Sequence, residues 1–172
     1  MKFDSAIQRR LTSYWKMEGG CALAFPILGI WLGRPGSALE WGALMLALLA
    51  CCALLLIGAL YWRASLRLVR GDSAPLRTTL VIADRLQAIL LALTLIAAAA
   101  VIALLMTGGS RAPVIAASVF ALLAGLEYVN YFHVQLQNFD HLPDLKRLLR
   151  TRRFRRAHLA RDLADYRRRG AR

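Results

Sequence analysis

The stretch Trp41–Trp62, "WGALMLALLACCALLLIGALYW", decides the fold class of this chain. It runs for 22 residues without a charged side chain. A helix of about 20 apolar residues spans the hydrocarbon core of a bilayer, so this stretch predicts a transmembrane helix. The rest of the chain fits the same class, because 58% of its 172 residues are hydrophobic and the mean hydropathy is +0.47. The composition therefore predicts an all-α integral membrane protein.

Three more apolar blocks predict three more spans. We place the four transmembrane helices at about 17–33, 41–62, 86–106 and 113–134. Short links rich in glycine and proline, "GRPGS" (33–37) and "TGGSRAP" (107–113), join them into two hairpins. The first block is continuously apolar only over Gly19–Gly33 and contains Pro26. It crosses the bilayer if it extends inward and Lys16 snorkels to the inner surface, and a re-entrant segment is the alternative.

The distribution of basic residues predicts the orientation of the spans. Lysine and arginine number 4 in Met1–Gly20, 1 in the first short link, 5 in Arg63–Gln87, 1 in the second short link and 12 after Phe132. Such alternation is what the positive-inside rule produces. We therefore expect cytoplasmic N- and C-termini and residence in a bacterial inner (plasma) membrane. Aromatic residues mark both predicted membrane surfaces: Trp31 and Trp41 outside, Tyr14, Trp15, Tyr61 and Trp62 inside.

The two ends of the chain predict amphipathic cytoplasmic helices. In residues 1–16, apolar side chains recur at helical spacing between basic ones. Residues 135–172 form a basic tail whose apolar positions fall on one side of a helix: Leu145, Leu148, Leu149, Leu159, Ala160, Leu163 and Tyr166. Candidate contacts to anionic lipid head groups are Arg152, Arg153, Arg155 and Arg156. The alternative is that these charges only fix the topology.

The net charge of +13 also raises the question of nucleic-acid binding. We disfavour that function, because the basic residues border the apolar blocks and no nucleic-acid reader motif is present.

The inner end of the fourth span is unusually polar: Gly125–Gln137 reads "GLEYVNYFHVQLQ". At 100° per residue, Glu127, Asn130 and Tyr131 share one face of the helix. Glu127 lies ~21 Å from the outer edge of the span, where an ionisable group marks a candidate functional site. We expect it to pair with Lys16 or Arg85 and to receive a hydrogen bond from Thr94 or Tyr131. A purely structural polar network that fixes helix register is the alternative.

Neither a catalytic constellation nor a metal or cofactor site is predicted. Cys21, Cys51 and Cys52 lie in apolar blocks without a CxxC motif, and the three histidines lack ligand spacing. GxSxG and HExxH motifs are both missing from the sequence. We therefore expect no enzyme.

The predicted function is that of a small polytopic membrane protein of the interaction or accessory kind. It presents basic amphipathic helices and a polar patch to lipid head groups or to a membrane protein partner, and a homo-oligomer is a further possibility. One alternative is an oligomeric channel or transporter with a path near Glu127. Another is a lipid-modifying membrane enzyme.

Overall fold

The computed structural model describes residues 2–136 and 155–170, with side chains described for 5–136 and 155–169. This part of the chain contains five α-helices. They are α1 (Lys2–Gly33), α2 (Ala38–Val69), α3 (Ala74–Met106), α4 (Arg111–Phe132) and α5 (His158–Gly170). Arg152 and Arg153 lie outside the described residues, as do the leucines at 145, 148 and 149.

Three of these helices, α2, α3 and α4, are long and apolar enough to cross a membrane. The prediction of a helical membrane protein is therefore confirmed at this level. The first helix is as long as α2, but its N-terminal half carries charged residues that α2, α3 and α4 lack in their apolar stretches. It runs without interruption through Pro26 and through the predicted boundary between residues 16 and 17.

The helices differ in length in a way that shapes one end of the bundle. At 1.5 Å per residue, α1, α2 and α3 are each about 48–50 Å long, more than a ~30 Å hydrocarbon core requires, whereas α4 is only about 33 Å long. Because tight turns join α1 to α2 and α3 to α4, the excess length of the three long helices lies at the opposite end. There α5 packs against α3 and α4.

The two tight turns lie side by side and are joined by Glu40. Ser37 caps α2 in a capping box with Glu40, whose Oε2 accepts hydrogen bonds from the backbone N–H groups of Gly36 (2.7 Å) and Ser37 (3.1 Å). Its Oε1 accepts a bond from the N–H of Ser110, which precedes α4, at 2.8 Å. The first residue after α1, Arg34, takes the left-handed conformation (φ 43°) that often ends a helix.

The centre of the bundle is α2, which packs against α1, α3 and α4. Its buried side chains include Leu44, Cys51 and Leu54, each with no exposed surface. The first helix approaches this core closely at its C-terminal end. A Cβ on Gly29 would lie 2.8 Å from a ring carbon of Phe120 and 2.9 Å from a methyl carbon of Leu48, so a larger residue there would displace these side chains.

Large apolar side chains cover the outside of the bundle. Examples are Leu23 (76% exposed) and Ile27 (74%) on α1, Leu95 on α3 and Leu122 on α4. In a water-soluble protein such a continuous apolar surface would be a liability, but in a membrane it is the surface that faces the lipid tails.

Candidate functional site

The polar face predicted on α4 forms a connected group of side chains. The amide nitrogen of Asn130 donates a hydrogen bond to Glu127 Oε2 at 3.3 Å. The amide oxygen of Asn130 accepts one from the backbone N–H of Leu136 at 2.9 Å, just beyond the end of α4. Asn130 therefore ties Glu127, inside the bundle, to the point where the chain leaves the helix.

A second carboxylate, that of Glu18 on α1, lies in the same region. Glu18 is only 2% exposed, and its Oε1 accepts a hydrogen bond from the indole Nε1 of Trp62 on α2 at 2.9 Å. Its Oε2 faces the hydroxyl of Tyr131, which is 2% exposed. The same hydroxyl also interacts with the carboxyl group of Glu127. Tyr131 therefore lies between the two carboxyl groups.

Gly58 on α2 makes this arrangement possible. A Cβ at position 58 would overlap the Tyr131 hydroxyl and Glu18 Oε2. These two atoms therefore lie next to each other against the bare backbone of α2. Any side chain at this position would push α1 or α4 away from α2.

A cleft of about 130 Å³ separates α1 from α4 beside these groups. It is lined by Met17, Glu18, Cys21 and Phe25 of α1, Cys51 and Leu55 of α2, and Leu123 and Glu127 of α4. At its outer limit the rings of Phe25 and Phe120 meet at 5.4 Å. At its inner limit Met17 is half-exposed, so the cleft reaches the surface of the bundle. The cleft therefore combines apolar walls with two carboxyl groups.

Of the predicted partners of Glu127, Tyr131 lies beside it and the other three do not. Thr94 is buried, but its hydroxyl donates to the carbonyl of Leu90 in its own helix at 2.8 Å. Lys16 is exposed, with its Nζ 5.9 Å from the ring centre of Trp15, and Arg85 is exposed on α3. Among residues 2–136 and 155–170, no ion pair links Glu127 to either cation. Glu127, Asn130 and Tyr131 are brought together, whereas Thr94, Lys16 and Arg85 do not join them.

Sequence reasoning missed Glu18, Trp62 and Gly58 as members of this group. Counting residues along the spans puts Glu18 at nearly the same depth as Lys16, so its depth could be predicted from the sequence. The rotation of α1 about its own axis could not be predicted. Two residues apart on a helix means 200° apart, and Glu18 faces the bundle while Lys16 faces away from it.

The end of the bundle opposite the two tight turns, called the inner end after the predicted orientation, is closed off by residues 155–157. Val134 and Arg156 form an isolated antiparallel bridge. The N–H of Gln135 donates to the carbonyl of Arg155 at 2.8 Å, and the N–H of Ala157 donates to the carbonyl of His133 at 3.1 Å. These bonds hold the start of α5 against the end of α4.

Side chains then fasten α5 to the inner ends of α2 and α3. The Tyr61 hydroxyl donates to Asp162 Oδ2 at 2.7 Å, and Arg167 donates to Asp84 (2.6 Å) and Gln87 (2.7 Å). Leu159 and Leu163 are buried in the same core as the membrane helices. The apolar side of α5 is therefore covered by protein.

Two groups on α5 have shifted pKa values. Burial lowers the pKa of His158, whose ring packs on Trp62 at 6.1 Å, and the neighbouring Arg161 lowers it further. The hydrogen bond from Arg168 lowers the pKa of Asp165. A cavity of about 10 Å³, near the smallest size that holds one water molecule, lies beside His158 and Tyr131.

Two of the four arginines predicted to contact lipid head groups are described, and both lie at this end. Arg155 and Arg156 are exposed, immediately before α5. Arg161 and Arg169 on α5 are exposed as well, as is Arg63 on α2. The basic surface formed by these five arginines is called the inner basic face below.

Comparisons of the chain with protein-family models, with curated proteins and with solved structures give no match. Within the described ranges, no group of three or more histidine, cysteine, aspartate or glutamate side chains is arranged to hold a metal ion. The site must therefore be interpreted from its own geometry.

Proposed function

We propose that this chain is a small integral membrane protein with four spans and cytoplasmic termini, of the interaction or accessory kind. Its inner basic face binds the anionic head groups of the membrane in which it resides. The observation that carries this proposal is the docking of α5. The apolar side of α5 packs against the bundle, and its arginines remain exposed. A helix fixed in this way holds its arginines in place, where they can bind negatively charged head groups.

The apolar surface of α1 supports a fourth span. Leu23, Ile27 and Trp31 are all more than 60% exposed and follow one another at helical spacing. Gly29 and Gly33 set the opposite side of α1 against α2 and α4 at the level of the outer turns. A helix that packs alongside transmembrane helices and turns leucine and isoleucine outward belongs at the same depth in the bilayer.

The topology is tested by labelling single cysteines with a membrane-impermeant maleimide in intact cells. Cys21, Cys51 and Cys52 are first replaced by alanine, and one cysteine is introduced in place of Ala6, Arg34, Asp72 or Arg111. Four spans with inner termini require labelling of Arg34→Cys and Arg111→Cys in intact cells. Ala6→Cys and Asp72→Cys should react only after lysis. Labelling of both Ala6→Cys and Arg34→Cys in intact cells would show that α1 does not cross, and labelling of Ala6→Cys and Asp72→Cys alone would show the inverted orientation.

Head-group binding is tested by native mass spectrometry of the detergent-solubilised protein with phosphatidylglycerol or phosphatidylcholine added. We expect more retained phosphatidylglycerol, and less of it in Arg155→Glu/Arg156→Glu, since each basic residue near anionic lipid contributes about 1 kcal/mol. The matched control is Arg34→Glu/Arg111→Glu, which changes the same charge at the outer turns. Equal retention of both lipids, or equal loss in the control, would refute the proposal.

A further inference from the structure

We propose that the cleft between α1 and α4 is a binding site for a lipophilic organic cation, an ammonium group attached to an aromatic ring or a short alkyl chain. The proposal does not depend on lipid binding at the inner basic face.

The two carboxyl groups of the cleft identify one half of this ligand. Glu18 and Glu127 both line it, and neither forms an ion pair with a lysine or arginine within residues 5–136 and 155–169. Their polar neighbours are uncharged: Trp62 and Tyr131 for Glu18, Asn130 and Tyr131 for Glu127. An uncompensated charge in an apolar environment is costly, so ionisation of either group calls for a cation. A ligand that brings a cation with hydrogens to donate would stabilise the ionised form of both groups.

The walls identify the other half. Phe25, Leu55 and Leu123 present ring and aliphatic surface, and Cys21 and Cys51 are small and weakly polar. A cavity of 150 Å³ with apolar walls accepts a benzene molecule. The cleft, at about 130 Å³ and open beside Met17, accommodates one ring or a short chain, and a longer tail can extend into the lipid. Hydrated metal ions, which need several oxygen ligands, fit these walls poorly.

The way α1 packs explains why the space is there. The C-terminal part of α1 lies close to α2 and α4 at Gly29 and Gly33, where a Cβ would come within 2.8 Å of Phe120 or 2.9 Å of Leu44. The cleft lies between α1 and α4 on the other side of the Phe25–Phe120 contact. The Trp62 indole fixes Glu18 from one side, so its carboxylate is oriented before a ligand arrives.

The test is binding of benzylamine to the purified protein in nanodiscs, measured by saturation-transfer NMR against empty nanodiscs. Benzyl alcohol, which has the same ring and nearly the same size but no charge, is the matched ligand. We expect saturable binding of benzylamine and no binding of benzyl alcohol above that to empty nanodiscs. Glu18→Gln and Glu127→Gln should each lower the affinity for benzylamine at least tenfold, which corresponds to about 1.4 kcal/mol. Glu40→Gln, a carboxylate at the outer turns, should leave it unchanged.

Two further variants keep the test decisive if the glutamine variants do not fold. Leu123→Trp fills the cleft and keeps both carboxylates, so it should abolish benzylamine binding. Glu127→Asp keeps the carboxyl group, and this variant should bind benzylamine more tightly than Glu127→Gln does. Equal binding of the alcohol and the amine, or benzylamine binding that survives Leu123→Trp, would overturn the proposal, as would the absence of saturable binding to the unaltered protein.

Discussion

Glu40 and Ser110 join the two outer turns of the bundle. The Glu40 carboxylate accepts a hydrogen bond from the backbone N–H of Ser110 at 2.8 Å, although the two residues are 70 positions apart in the chain. The same carboxylate accepts bonds from Gly36 and Ser37 at the start of α2. One side chain therefore serves as a cap for its own helix and as a link between the two hairpins.

Replacing Glu40 with alanine should lower the melting temperature in detergent, because three backbone N–H groups lose their acceptor at once. Glu40→Gln keeps one acceptor oxygen and should have a smaller effect. Differential scanning fluorimetry in one detergent gives the comparison. An alanine variant as stable as the unaltered protein would show that water replaces this carboxylate at no cost.

Gly58→Ala should destabilise the bundle by about 1–3 kcal/mol, the usual range for overpacking a filled interior. The added methyl group would overlap the Tyr131 hydroxyl and Glu18 Oε2, so α1 or α4 must move away from α2. The matched control is Gly42→Ala in the same helix, where no atom lies within 4 Å of the new methyl group. Thermal unfolding followed by circular dichroism measures both. Similar melting temperatures for the two variants would contradict the close contact at Gly58.

Tyr61→Phe should loosen α5, since it removes the hydrogen bond from the Tyr61 hydroxyl to Asp162. The expected loss is about 0.5–1.5 kcal/mol, visible as faster amide hydrogen exchange in peptides covering α5. Tyr166→Phe is the control, because no hydrogen bond of the Tyr166 hydroxyl occurs among the described residues. If exchange in α5 does not respond to Tyr61→Phe, the helix is held by its leucines alone.

Docking of α5 should weaken in mild acid. Because the pKa of His158 is lowered in the folded protein, the docked helix favours the neutral ring. The associated stability is fully present above the unfolded-state value of about 6.5 and is lost as the pH falls through the lowered folded-state pKa. Arg161, Arg155 and Arg10 oppose protonation of the ring, and only Asp162 favours it.

Hydrogen exchange in α5 should therefore quicken, after correction for intrinsic exchange, between about pH 7.5 and about pH 5. His158→Gln should remove most of this dependence, whereas His133→Gln, an exposed histidine at the end of α4, should keep it. A His158→Gln variant with an unchanged pH profile would assign the effect to another group.

The membrane helices could be predicted from sequence because lipid imposes a simple rule. A continuous apolar run such as Trp41–Trp62 has one stable outcome in a bilayer, and α2, α3 and α4 each include most or all of a predicted run. The polar group on α4 was also predictable, since helical periodicity alone puts Glu127, Asn130 and Tyr131 on one face. Crossing by α1 and the cytoplasmic orientation stay predictions.

The contacts between helices could not be predicted, because they depend on how the helices are rotated against one another. We expected a cation beside Glu127, and the side chain that shares its cleft is a second carboxylate, Glu18. Nothing in the sequence states which face of α1 turns toward α4. The docking of α5 depends on contacts such as Tyr61 with Asp162, 101 residues apart, which local patterns do not encode.

The close contact of α1 at Gly29 and Gly33 also has a mechanical consequence. With its C-terminal end held there, α1 is a lever whose fulcrum lies at the end of the bundle that carries the two tight turns. Glu18 is 15 residues from Gly33 and Lys2 is 31 residues from it, about 22 Å and about 46 Å along the axis. Any tilt of α1 that widens the cleft at Glu18 displaces the far end of the helix about twice as much. Opening of the cleft is thereby magnified at the opposite end of the bundle.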